Sequence, residues 1–198
     1  MGLGFVLMCL NHGGLNAAEF GYFTYVHDGA GLTITHYSGS ETDVDIPSQI
    51  NGAPVTGIGY GAFGGKGSII NLTIPESVKE IDDYAFSGCS GLAHLVIPDS
   101  VKSIGGRAFN GCTSLTTLTI GSGVSELGTG AFAACTSLST LTIPDTLTSI
   151  SQEAFANCSG LESVSIGTSV TTIGFHAFRE CSKLQTITIP DSVVSILG

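Results

Sequence analysis

The sequence predicts a β-rich α/β solenoid, one stack of 23-residue coils, and three observations carry that prediction. Ala-Phe stands at 62-63, 85-86, 108-109, 131-132, 154-155 and 177-178, so Phe63, Phe86, Phe109, Phe132, Phe155 and Phe178 are all spaced by 23 residues. Isoleucine keeps the same period at Ile74, Ile97, Ile120, Ile143, Ile166 and Ile189. A second apolar row runs Ile58, Ile81, Ile104, Leu127, Ile150, Ile173 and Ile196. Leucines at L-x-x-L-x-I spacing inside a repeat of this length mark coils that bury their apolar faces only against neighbouring coils.

Each coil divides into segments by its own pattern. In the coil that starts at Leu115 the inward positions are Leu115, Leu118, Ile120, Val124, Leu127, Ala131, Phe132 and Cys135. Alternation at Leu118-Thr119-Ile120 gives a short strand with Thr119 facing solvent, and stacked coils pair these strands into one parallel sheet. Val124 and Leu127 form a short extended piece. Gly59, Asp82, Gly105, Gly128, Ser151 and Gly174 then occupy a position suited to a helix N-cap. Gly65, Gly88, Gly111 and Asn157 suit a left-handed C-cap. Short helical turns through Ala-Phe are therefore expected on the side opposite the sheet.

The ends depart from the period. Residues 19–45 read as an N-terminal cap, a β-hairpin in which Phe20 to Val26 and Leu32 to Tyr37 flank the turn Asp28-Gly29-Ala30-Gly31. Residues 46–198 form the repeat array, with Asn51-Gly52-Ala53-Pro54 lengthening the first coil as a surface loop. Residues 1–18 read as a signal or an N-terminal arm: Phe5 to Leu10 is apolar and Asn16-Ala17-Ala18 resembles a small-residue cleavage site, but no positive n-region precedes it. The array is expected to be truncated at its C-terminus, because Ser195-Ile196-Leu197-Gly198 stops in mid-coil without a polar capping segment.

Composition excludes some functions. Six Lys and Arg against sixteen Asp and Glu give a formal charge of -10. The attraction to phosphate that nucleic acid or an anionic membrane surface requires is missing. No stretch reaches the roughly 18 apolar residues of a transmembrane helix.

The pattern L-x-x-L-x-I-P-x-x-V-x-x-I-G-x-x-A-F-x-x-C, seen at Leu92 to Cys112, resembles the BspA-type leucine-rich repeat, over roughly residues 46 to 198. The resemblance implies a curved, right-handed leucine-rich-repeat solenoid, commonly on secreted or cell-surface microbial proteins, some of which adhere to host matrix proteins. It implies no catalytic residue and no cofactor. Gly121 and Gly167 stand where Pro is usual, and Lys66 stands where the first coil should carry Cys.

Cys89, Cys112, Cys135, Cys158 and Cys181 share the 23-residue period. No C-x-x-C pair is present to hold a metal. Helical segments should hold neighbouring coils too far apart for disulfides, so buried free thiols acting as small hydrophobes are expected. Cys9 lies in a poor match to a lipid-attachment site. Glu76, Asp99, Asp145 and Asp191 form an incomplete acidic row, too sparse for a calcium ladder and read as turn capping. The five histidines are scattered, with no nucleophile placed beside one.

The distinctive surface feature is a sheet face carrying Thr117 and Thr119, Thr140 and Thr142, Ser163 and Ser165, and Thr186 and Thr188. Asn71 and Thr73, then His94 and Val96, continue its rows. Threonine is also favoured at exposed strand positions for backbone reasons. The reading is a non-enzymatic binding or adhesion module, secreted or on the cell surface, that recognises a protein or glycan, such as one of the extracellular matrix, through this face and its loops. A structural spacer in a larger surface protein is the alternative, and an ice-binding threonine face a remote one.

Overall fold

The structure, a computed structural model, describes residues 17–198; the leader expected over 1–18 lies outside them, apart from Ala17 and Ala18, as does Cys9. The N-terminal segment is an antiparallel meander of β1 (Ala18–Phe20), β2 (Phe23–His27) and β3 (Leu32–Tyr37), so the expected hairpin has an additional outer strand. Its turn is built by Asp28, whose Oδ1 accepts the N–H groups of Ala30 (2.9 Å) and Gly31 (2.8 Å) and whose Oδ2 accepts the Thr33 hydroxyl at 2.6 Å. The Thr33 bond leads in holding the Asp28 carboxyl below its ordinary pKa. Next come β4 (Asp43–Asp45), β5 (Gln49–Ile50), β6 (Ala53–Ile58) and β7 (Asn71–Thr73). Within the Asn51 to Pro54 insertion, Asn51 and Gly52 form the tight turn between β5 and β6, while Ala53 and Pro54 begin β6 and pair with Ile50 and Gln49.

About seven right-handed turns of roughly 23 residues follow one another. Two parallel ladders run along the stack rather than one. The first joins β4, β7, His94–Ile97 and Thr117–Ile120, then resumes as Thr140–Thr142 with Ser163–Ser165 and a bridge from Ser165 to Thr188. The second joins β3, β6, Glu80–Ile81, Ser103–Ile104 and Glu126–Leu127, then resumes as Ser149–Ile150, Thr172–Ile173 and Ser195–Ile196. Both ladders are interrupted at the same coil boundary, between Leu127 and Thr140.

The expected helical turns are absent: among the described residues the Ala-Phe segments are runs of turns. Backbone partners explain why. In one coil the N–H groups of Tyr84, Phe86 and Gly88 donate to the Gly106, Ala108 and Asn110 carbonyls of the next coil, at 2.9, 2.7 and 2.8 Å. The N–H groups between them close local turns: Ala85 to Asp82 (3.3 Å), Ser87 to Tyr84 (3.0 Å) and Cys89 to Phe86 (3.2 Å). An α-helix would need every one of these donors within the segment. It would also need about 8 to 10 Å between stacked axes, twice the strand spacing of about 4.8 Å set by the ladders.

Turns closed this way call for φ > 0 at the third position. Gly88 (φ 75°) and Gly111 (φ 74°) meet that demand, as their left-handed assignment anticipates. Tyr84, Arg107, Glu153 and His176, with φ of 54 to 58°, occupy the equivalent earlier position at a cost of roughly 1–2 kcal/mol each. The residues expected to act as N-caps have another task. At Gly105 and Gly128 a Cβ would collide with the backbone of the preceding coil, so the absent side chain permits close stacking.

Burial follows the predicted register except in the last coil, where Ile189 and Ile196 are exposed. Phe63, Phe86, Phe109, Phe132 and Phe155 are fully buried and stack face to face, with centroids 4.8, 5.0, 5.2 and 5.6 Å apart along the series. Phe178 continues the stack at 5.7 Å but is only partly covered. At the other end Tyr37 takes the place of a preceding phenylalanine, 5.1 Å from Phe63, and its N–H donates to Ala62 O at 2.9 Å.

All five cysteines of the array are free and buried, as expected, but not for the expected reason: the coils are close, not far, on this side. Each Sγ–H donates to the carbonyl of the preceding coil's phenylalanine, from Cys89 to Phe63 (3.3 Å) through Cys181 to Phe155 (3.3 Å). Burial pushes the Cys89 and Cys181 thiols up to about 12 and raises Cys112 as well, so all three stay protonated at neutral pH. Lys66, which replaces cysteine in the first coil, has no earlier coil to bond. Its Nζ reaches Gly39 O at 3.0 Å and lies 5.5 Å from the Tyr37 ring centre, tying the meander to the array.

Candidate functional site

Strand alternation sends Leu95, Ile97, Ile120, Leu141 and Ile143 inward, and so presents the residues between them to solvent. Every member of the predicted face is exposed: Asn71, Thr73, His94, Val96, Thr117, Thr119, Thr140, Thr142, Ser163, Ser165, Thr186 and Thr188. Register brings neighbours side by side. Asn71 pairs with His94, His94 with Thr117, Val96 with Thr119, Thr140 with Ser163 and Thr142 with Ser165. The rows therefore form two files, interrupted between Thr117–Ile120 and Thr140–Thr142 where the ladder stops. At that interruption Leu118, Thr119, Ile120, Thr142 and Pro144 line a shallow cavity of about 220 Å³.

The files also begin earlier than the period reveals. Asp43 and Asp45 are exposed opposite Asn71 and Thr73, and the offset of 28 residues, caused by the insertion in the first coil, hides them from a search at 23. Asn71 Nδ2 donates to Asp43 Oδ1 at 2.5 Å and the Thr42 hydroxyl to Asp43 Oδ2 at 2.7 Å. These two bonds, Asn71 first, hold the Asp43 carboxyl below its ordinary pKa. One step on, His94 Nδ1 and Thr117 Oγ1 share a hydrogen bond of 2.8 Å. The face thus grades from carboxylates at Asp43 and Asp45, through amide and imidazole, to uncharged hydroxyls.

Beside the face, two members of the acidic row, Asp99 and Asp145, act as backbone caps. Asp99 Oδ1 accepts Ser122 N–H and Asp145 Oδ1 accepts Thr168 N–H, both at 2.6 Å and one coil on. The glycines at 121 and 167 belong to the capped coils. A Cβ on Gly121 would lie 2.6 Å from Ile97 O, and one on Gly167 would lie 2.7 Å from Pro144 O. The two departures from proline and the two gaps in the acidic row are therefore one device. Among the described residues no three His, Cys, Asp or Glu side chains gather as a metal-binding group.

The family model for the BspA type leucine rich repeat region matches in six copies, over residues 56–174 and 88–197. This chain belongs to that family of leucine-rich-repeat solenoids, whose members are protein-interaction or structural modules. Solved structures agree. The leucine rich repeat protein TpLRR of T. pallidum is 32% identical, with a TM-score of 0.84, over 88% of this chain and 83% of that one. A leucine rich cell surface protein of Faecalibacterium prausnitzii is 31% identical, with a TM-score of 0.81, over 93% of this chain but 51% of its own length. A leucine-rich repeat protein of Bacteroides ovatus is 28% identical, with a TM-score of 0.63, over 88% of this chain and 54% of that one. No curated protein matches the chain. No helix among the described residues is long and apolar enough to cross a membrane.

Proposed function

We propose that this chain is a non-enzymatic binding module, displayed outside the cell, that recognises an extended protein or glycan along its sheet face. One observation carries the reading: two files of exposed, mostly polar side chains, from Asp43 and Asp45 to Thr186 and Thr188, held in strand register on either side of one interruption. Regularly spaced donors and acceptors on a rigid array suit a partner with a regular repeat of its own. Extracellular display draws support from the cell surface protein of Faecalibacterium prausnitzii. An ice-like lattice fits poorly, because Asp43, Asn71, His94 and Val96 break the hydroxyl rows in the first three coils.

The test is binding of the full chain to immobilised matrix proteins and glycans, beside a Thr117→Lys/Thr140→Lys variant. Loss of binding in the variant supports a sheet-face site. Binding that survives the two lysines moves the site elsewhere, and no binding to any panel member favours the spacer reading.

A further inference from the structure

A cavity of about 240 Å³ opens on the turn side, away from the sheet face. Ala133 and Ala156, both buried, form its floor where Asn110 and Arg179 occupy the same position one coil before and one coil after. Two adjacent coils thus dip between longer side chains. A Cβ on Gly130 would lie 3.3 Å from Arg107 Cγ, so the Arg107 side chain packs over this glycine, and it also lines the notch. Glu153 and Asn157 complete the wall.

The chemistry of this wall is unusual for the molecule. The sequence holds six Lys and Arg against sixteen Asp and Glu, and two of those six line one small cavity. Among the described residues Arg107 forms no ion pair, and Arg179 has only a loose one to Glu180 at 3.9 Å, with both partners more than half exposed. Arg107 (φ 54°), Glu153 (φ 56°) and Asn157 (φ 60°) hold positions that Gly130 and Gly111 fill more comfortably elsewhere. That strain alone selects no site, since Tyr84 and His176 share it. The alanine floor, in a cavity lined by two arginines, does.

We infer that this notch binds a uronic-acid residue of an acidic glycan. Planar guanidiniums recognise a carboxylate by paired hydrogen bonds. The Asn110 and Asn157 amides both donate and accept, and Glu153 only accepts, a set that matches ring hydroxyls. The two alanine methyls offer an apolar floor to the C–H face of a sugar. The volume, below the roughly 300 to 1,000 Å³ of a drug-sized pocket, fits one ring rather than a long ligand. A doubly charged oxyanion such as phosphate would face Glu153 with nothing to donate to it.

The experiment is calorimetric titration of the full chain with digalacturonate, its methyl ester and inorganic phosphate. The acid is expected to bind, the ester at least tenfold more weakly, and phosphate not measurably. An Arg107→Ala/Arg179→Ala variant with an unchanged melting temperature should lose the acid, while Thr117→Lys/Thr140→Lys should keep it. No binding of the acid, equal binding of acid and ester, phosphate binding as tight as the acid, or loss in the sheet-face variant alone each overturns the inference. If the arginine variant melts lower, Ala156→Gln, which blocks the floor and leaves both guanidiniums, must also lose the acid.

Discussion

The turn side and the sheet side of each coil are made from the same 23 residues, yet they hold the stack in different ways. On the turn side the inter-coil bonds run across every boundary from Phe63 to Ala177, the phenylalanine rings overlie one another, and each cysteine bonds the coil before. On the sheet side both ladders lapse between Leu127 and Thr140, yet the turn bonds there persist, with Phe132 N–H donating to Ala154 O at 2.9 Å. At the second ladder Ser151 stands where neighbouring coils carry Gly105, Gly128 and Gly174, and its hydroxyl donates to Leu127 O, the carbonyl equivalent to those bonded by the Gly128 and Gly174 N–H groups. The turn side therefore keeps its backbone bonds at every boundary, while away from the turns this boundary is closed by side chains, the Thr146 hydroxyl donating to Val124 O at 2.6 Å and the Ser151 hydroxyl to Leu127 O.

The largest break in that comparison should come from Phe132→Ala, which empties the middle of the ring stack. A loss of about 3 to 5 kcal/mol is expected in denaturant unfolding. The same change at Phe178, already partly exposed, should cost less than half as much.

Alkaline pH attacks the same side. Cys89 and Cys181 have folded-state values raised from 9.0 to about 12. Their stabilising effect is complete below pH 9 and is lost as pH climbs from 9 towards 12, because the unfolded chain ionises first. At about 1.4 kcal/mol per unit, Cys89 should remove about 1.4 kcal/mol by pH 10 and the less enclosed Cys181 a smaller amount, measurable as a falling urea midpoint. Thiol labelling in the native state at pH 8 should be slow, and fast labelling would show the cysteines are not enclosed.

Smaller effects sharpen the contrast. Cys112→Ala deprives Phe86 O of a donor and should cost about 1 to 2 kcal/mol. Lys66→Ala should cost about 1 kcal/mol and speed hydrogen exchange in β1 to β3, while the amides of Phe109 and Phe132 stay protected. Thr119→Val, on the sheet face, should stay within about 0.5 kcal/mol of wild type.

Much of this was readable before the structure. The inward register, the ring stack, the enclosed thiols and the exposed files all follow from a single period, because an apolar residue repeated at 23 can only meet its own copies. The helical turns did not survive, and the reason is general: whether Phe86 N–H bonds within its segment or to Ala108 O, 22 residues on, is invisible to local propensity. Lys66 was visible as an irregularity, but its purpose depends on Gly39 and Tyr37, which lie outside the repeat. Asp43 and Asp45 escaped because an insertion shifted them out of phase. The notch at Ala133 and Ala156 escaped because it is a change of side-chain size along one row, not a motif.

The thiol bonds give the stack a direction. Each Sγ–H reaches back to a carbonyl 26 residues earlier, from Cys89 to Phe63 and so on to Cys181 and Phe155. In a chain made from its N-terminus, every acceptor leaves the ribosome before its donor, so a newly emerged coil meets a template already in place. The backbone bonds run in the opposite sense, from Phe63 N–H to Ala85 O and onward, so each boundary is closed by donors from both coils.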